Sequence, residues 1–342
     1  MKTIRFFAFA ALAATMLGSC SNDDDQAQSN YPSDNIVRVT ASVNNAKTRA
    51  EGAGTPLEKP FSLTIVNNSP ENAAVGSKYT YVNKIFKKSG SEWICDETLL
   101  WQNATTPVDI VAFAPAQDES TFQNVYNGGL KFITYTVYSD QNKNDFANDL
   151  LYFYSPGFVP GSENGLKEKK LNMQFSHAFC QININVTLGT EFNKPNIPTT
   201  SPITEAVLGG TTITAIVDVT RTDGIVTTET DATPTDIITK NGTFTYPTPT
   251  GDNAVEKHCT SSFSCIAIPQ EVAANTFKVT LKTADKLYEW TSPEAVSLKS
   301  GYKYTLNLSM GNDMLLIKKE SITATPWTDG MEGGKPGSLE TE

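Results

Sequence analysis

Histidine and cysteine are scarce in this chain. Its 342 residues include 2 His and 5 Cys, which leaves little material for a zinc enzyme or for Cys–His catalysis. Long apolar runs are missing beyond the first twenty residues, and nothing later approaches the roughly 20 residues of a membrane-spanning helix. Positive charge is short as well: Lys plus Arg is 27 against 37 Asp plus Glu, a net charge of −10. A chain this acidic repels phosphate backbones, so nucleic acid is not expected as a partner. No GxSxG elbow, HExxH helix or P-loop occurs, and the glycine cluster around Gly52 and Gly54 lacks the third glycine of a dinucleotide fingerprint. No catalytic residues, no cofactor and no metal site are therefore expected. Long segments with a 3.6-residue period are also lacking, which argues against a helical fold.

The chain does contain enough apolar material for real cores, with 39% apolar and 10% aromatic residues. At about 150 residues per domain, its length suggests two domains. The first residues read as a secretory signal, residues 1–19. Lys2 and Arg5 precede the apolar run 6–16 (FFAFAALAATM), and Leu17-Gly18-Ser19-Cys20 closes it. The closing LGSC resembles a bacterial lipobox, which implies a lipid on Cys20 and anchoring to the outer membrane. Without the signal the basic residues fall to 25 against 37 acidic ones, a net charge of −12. Residues 20–35 then form a polar tether. Its Asp23, Asp24 and Asp25 are similar to the surface-export signal of Bacteroidetes lipoproteins. Of the remaining thiols, Cys259 and Cys265 are close enough for a bridge, but none is indicated. Cys180 and Cys265 lie in strand-like runs where a thiol behaves as a small hydrophobe.

The body alternates with a period of two. In residues 36–43, Val37, Val39, Ala41 and Val43 share one face. Residues 61–66, 131–138, 174–188, 211–219, 262–268, 276–281 and 302–310 continue the pattern, and Gly, Pro, Asn and Asp separate them. Many short strands with turns between them predict an all-β fold of two antiparallel β-sandwich domains. The polar stretch 161–170 places the boundary between a domain of residues 36–165 and one of residues 166–342; residues 189–202 are the competing linker.

Several isolated features invite chemical readings. Residues 140–145 begin like a calcium loop, but Asp145 stands where the turn needs Gly. His177 and Ser176 are neighbours on a strand and so point to opposite faces; His177 is expected to be a hydrogen-bonded structural residue. His258 beside Cys259 does not complete a metal site. Trp93, Trp101, Trp290 and Trp327 could stack on sugars, although packing is the commoner use.

Taken together, these pieces resemble the fimbrillin family of Bacteroidetes, the lipoprotein subunits of pili. The resemblance rests on the lipobox and tether, and on residues 36–43 followed by Lys47-Thr48-Arg49-Ala50. It extends to Asn148-Asp149-Leu150-Leu151-Tyr152, Phe175-Ser176-His177-Ala178-Phe179 and Ala267-Ile268-Pro269-Gln270, then to Gly301-Tyr302-Lys303-Tyr304 and residues 322–327 (ITATPW). It implies transthyretin-like sandwiches, location at the cell surface in a fimbrium, a role in adhesion, and other fimbrial subunits as partners. It also implies a mechanism: cleavage between Arg49 and Ala50, departure of the strand carrying Val37, Val39, Ala41 and Val43, and entry of another subunit's strand in its place. The tail 328–342 departs from a donor pattern, since it offers only Met331 and Leu339 to pockets. A surface glycan-binding lipoprotein is the rival reading.

Overall fold

The computed structural model describes residues 30–43, 55–74, 76–116, 132–144, 149–228, 231–247 and 254–327. The first half of the chain contributes β1 (Val39–Val43), β2 (Thr55–Pro56), β3 (Phe61–Asn67), β4 (Tyr81–Ser89), β5 (Glu92–Cys95), β6 (Val108–Ala114), β7 (Phe132–Thr136), a short helix α1 (Gln141–Asn144), β8 (Leu151–Phe158) and β9 (Leu171–His177). The second half adds β10 (Cys180–Leu188), β11 (Glu205–Gly209), β12 (Thr214–Asp218), β13 (Val226–Thr227), β14 (Ile237–Ile238), β15 (Lys240–Thr245), β16 (Thr260–Ala267), β17 (Glu271–Val272), β18 (Lys278–Lys282), β19 (Leu287–Thr291), β20 (Val296–Ser297), β21 (Tyr302–Met310) and β22 (Leu315–Pro326).

The fold is nearly all-β and of the sandwich kind, as the alternating sequence predicts. One sheet of eight strands runs β2-β1-β9-β8-β6-β3-β4-β5. Its two ends approach each other, because β5 comes up against β1, so the sheet curls around its own core. The remaining sheets are β15-β16-β10-β21-β22, β14-β11-β18-β19, β13-β12-β7 and the pair β17-β20. Among the described strands, ladders are antiparallel except in two places: β1 runs parallel to β9, and β10 runs parallel to β21. The predominantly antiparallel sandwiches expected from sequence thus contain two parallel ladders. Each parallel pair joins strands far apart in sequence, and parallel neighbours need a long crossover that a tight turn cannot supply.

Two hydrophobic clusters result. One gathers residues between Val37 and Phe175, among them Phe61, Leu63, Ile65, Phe86, Trp101, Ile110, Leu171 and Met173. The other gathers residues from Ala178 to Trp327, together with Val111, Phe113, Ile133, Val137 and Leu150 from earlier in the chain. The ladders follow the same division. β9 belongs to the first sheet, whereas β7 pairs with β12. The run 174–188, read from sequence as one alternating stretch, is two strands. Its buried positions are odd-numbered up to His177 and even-numbered from Cys180 onward. This slip of one residue at Ala178 and Phe179 is where the chain passes from one cluster to the other.

A tight turn delivers the chain into β9. Lys167 and Lys170 exchange backbone hydrogen bonds of 2.9 and 2.8 Å. Between them Glu168 and Lys169 both take positive φ, 49° and 62°, the conformation that a two-residue hairpin of this hand requires.

Candidate functional site

β1 supplies the candidate site. Its alternation puts Val37, Val39 and Val43 inside, each at most 6% exposed. Ala41 is half-buried against the same cluster. Thr40 faces out, and its hydroxyl donates to Asn172 Oδ1 at 3.2 Å. Fully burying a valine-sized side chain is worth at least about 1.5 kcal/mol, so the strand is held chiefly by its inner face.

Its backbone partners are unequal. On one side all five residues pair with β9, from Val39 opposite Leu171 to Val43 opposite Phe175. On the other side only Ser42 and Val43 pair, with the two residues of β2. β9 in turn depends on β1. Its ladder to β8 spans only two pairs, Leu151 with His177 and Tyr152 with Ser176. Among the described strands, residues 171–175 have their ladder with β1 alone. Removing β1 would open the edge of β9 above Leu171, Met173 and Phe175, all at most 1% exposed. Below lie Phe61 and Phe86, stacked with ring centres 5.2 Å apart, and Phe175, 5.6 Å from Phe61.

The covering segment begins before the strand. Residues 35–37 run antiparallel to 99–101: the Val37 amide donates to the Leu99 carbonyl at 2.9 Å, and the Trp101 amide to the Asn35 carbonyl at 2.8 Å. Asn35 has a positive φ of 56°, and the chain turns there into this hook, which leads on into the parallel ladder. Asp34 braces the corner. Its carboxylate accepts from both terminal nitrogens of Arg38, at 3.0 and 2.5 Å, and from the Ile36 amide at 3.1 Å. The Arg38 guanidinium, followed by the Ile36 amide, holds the Asp34 carboxyl well below the usual carboxylate range. Upstream, Pro32 is buried and Tyr31 packs against the first cluster; burial pushes the Tyr31 phenol up. Sequence reasoning started the segment at Ile36 and missed the hook. The apolar triplet Leu99-Leu100-Trp101 was its one visible trace.

The other residues singled out from sequence fall as follows. Cys20, Arg49 and Ala50 lie outside the described residues. His177 is buried; its Nδ1 is 2.8 Å from Asp149 Oδ2, and its ring stacks on Trp327. His258 is exposed and donates from Nδ1 to the Leu188 carbonyl at 2.8 Å. Asp140, the head of the calcium-like stretch, is paired with Lys143 at 2.6 Å. Among the described residues, no group of three or more His, Cys, Asp or Glu could hold a metal ion, and no helix is long and apolar enough to cross a membrane. Cys95, Cys180, Cys259 and Cys265 are free thiols. The four tryptophans belong to the clusters: Trp101 and Trp327 are buried, Trp93 packs on Phe61, and Trp290 meets Phe277 edge-on.

The arrangement is thus a strand clipped over an apolar core. A family profile described as fimbrillin-like matches residues 48–327. This chain belongs to the fimbrillin-like family. Solved structures of the same fold accompany that match. A candidate cell adhesion protein from Bacteroides ovatus shares 16% identity over 85% of this chain and 97% of its own, with a TM-score of 0.57. A second, from Bacteroides uniformis, shares 15% over 87% and 100%, with a TM-score of 0.53. A fimbrial protein from Bacteroides vulgatus shares 16% over 86% and 99%, also at 0.53. None of the curated proteins matches the chain. Membership implies a structural part in a fimbrium at the cell surface, assembled with other fimbrial subunits. In this fimbrillin-like chain the match begins at Thr48, just after the covering strand and within the Lys-Thr-Arg-Ala stretch.

Proposed function

We propose that the protein is a fimbrial subunit lipoprotein, exported to the cell surface on a lipid at Cys20 and serving adhesion. It assembles by strand exchange after proteolysis near Arg49, and it does no chemistry of its own. The observation that carries this reading is the pairing of β1: five residues of ladder to β9 on one side, two to β2 on the other, and Val37, Val39 and Val43 sunk in a core they do not share covalently with β9. An edge strand so held can be replaced by another of the same pattern. Main-chain bonds to β9 would supply affinity, and alternate side chains would fill the vacated positions.

Arg49 lies six residues beyond Val43. While the chain is intact, β1 is an intramolecular ligand at high effective concentration, and competition from outside is weak. Cleavage turns it into a fragment that can diffuse away. A strand from a second subunit then makes a heterologous, open-ended contact, the kind that builds filaments.

The test compares wild type with Arg49→Ala after mild trypsin, by mass spectrometry and gel filtration. Wild type is expected to lose the segment up to Arg49 and to form oligomers, while Arg49→Ala stays monomeric. Equal assembly of the two would overturn the mechanism at this site.

A further inference from the structure

The edge that β1 covers and the C-terminal strand meet at one place. β9 ends at His177, two residues beyond the last residue that β1 pairs. The His177 ring lies flat against the indole of Trp327, with centres 3.7 Å apart and planes 8° from parallel. Trp327 immediately follows β22 and is 8% exposed. Asp149, just before β8, holds the imidazole on its Nδ1 side, and Lys303 stands 5.7 Å from the indole centre. The backbone makes the same connection: the Gly301 amide donates to the Phe179 carbonyl at 2.9 Å, and the Trp327 amide donates to the Gly301 carbonyl at 2.6 Å. Two hydrogen bonds therefore tie the exit of β9 to the end of β22.

The placement matters because β9 is weakly held elsewhere. Without β1 its ladder consists of the two pairs to β8, at Ser176 and His177. The surviving anchor is the residue on which Trp327 sits. Among the described strands β22 lies at the edge of its sheet and pairs only with β21. Each half of the fold thus has one strand fully paired on a single side, β1 on β9 and β22 on β21, and the two share an anchor.

We propose that Trp327 is a latch between the two ends. Docked on His177, it keeps β9 in register once β1 has gone, so the empty groove stays ready for an incoming strand. Withdrawal of the C-terminal strand removes the indole and loosens β9. Coupling of this kind is reciprocal: a strand seated on β9 also strengthens the hold on Trp327. A subunit therefore accepts a strand best while its own C-terminal strand is in place. The proposal rests on the strand-exchange reading and adds a direction of assembly to it.

Amide hydrogen exchange read by mass spectrometry tests it on the full chain. The variants are Trp327→Ala, Trp327→Phe and Val39→Asp. An aromatic stack of this kind corresponds to about two- to tenfold in a local opening equilibrium. Trp327→Ala should speed exchange in residues 171–177 by that factor and leave residues 180–188 unchanged, and Trp327→Phe should restore most of the protection. Val39→Asp should speed exchange in residues 171–175 and, by a smaller factor, in 323–327. If Trp327→Ala loosens residues 302–304 but not 171–177, the latch is wrong and strand exchange stands. If it loosens every segment alike, Trp327 merely supports the whole fold, and the latch is again wrong. If Val39→Asp leaves residues 171–175 protected, β1 does not guard that edge, and the strand-exchange reading falls with the latch.

Discussion

Two parallel ladders in this molecule differ in one respect. β10 pairs with β21 from Gln181 to Leu188, and on its other side with β16 from Cys180 to Thr187. Its inward residues Ile182, Ile184, Val186 and Leu188 are all fully buried. β1 has the same parallel geometry against β9, but among the described strands only the two residues of β2 pair with it on its other side. The inner faces of the two strands are chemically alike, alternating β-branched and aliphatic residues. What separates the two strands is therefore the second ladder: β10 is paired along its whole length on both sides, and β1 on one side only, with the hook at residues 35–37 as its further hold.

The largest expected effect is at the doubly paired strand. Ile184→Ala should cost about 2–5 kcal/mol, seen as a lower urea midpoint for the whole protein. Val39→Ala should cost about 1–2 kcal/mol and act locally, as faster exchange at residues 171–175 with little change in the exchange of residues 180–188. Equal global destabilisation by the two would erase the distinction.

A second contrast lies in the thiols. Cys180 on β10 and Cys265 on β16 are fully buried, and burial pushes both thiols well above the ordinary range. Neither should react with iodoacetamide in the native protein at pH 8. Cys95 is partly exposed on β5, the strand that comes up against β1. It should label first, and faster in Val39→Asp. Labelling of Cys180 at the rate of Cys95 would mean that β10 opens as easily as the edge.

The smallest effect concerns the corner before β1. The Asp34 carboxyl is depressed by Arg38 and the Ile36 amide. A depressed carboxyl contributes stability above its unfolded pKa of about 4, and that contribution is lost as pH falls. Asp34→Asn should therefore speed exchange of the Val37 amide at pH 7, relative to wild type, and the difference should shrink on acidification. A difference that persists unchanged to low pH would mean that the corner does not depend on the charge of the Asp34 carboxylate.

Much of the fold was legible because alternation is a local property. Residues 302–310 were read from sequence with the bounds that β21 has. The inward set of β1 followed from its period, since side chains of a strand point to opposite faces whatever the strand pairs with. Even the handover between the clusters is written locally, as the change from odd to even apolar positions around Ala178, although the run was first read as continuous. The anchor and processing residues Cys20, Arg49 and Ala50 were drawn from motif patterns alone, and they lie outside the described residues.

By itself the sequence determined the strand-rich class, the faces of the strands, and the inward set Val37, Val39 and Val43 of the segment 36–43. Tertiary structure alone decided who pairs with whom. A strand's pattern states which face is apolar but carries no address for its neighbour, so the parallel match of Val39–Val43 to a strand 132 residues later, the hook on Leu99 and Trp101, and the stacking of Trp327 on His177 all depended on how the apolar faces could be closed together at once. These long-range pairings leave β1 with one full ladder and bring the end of the C-terminal strand against the end of β9.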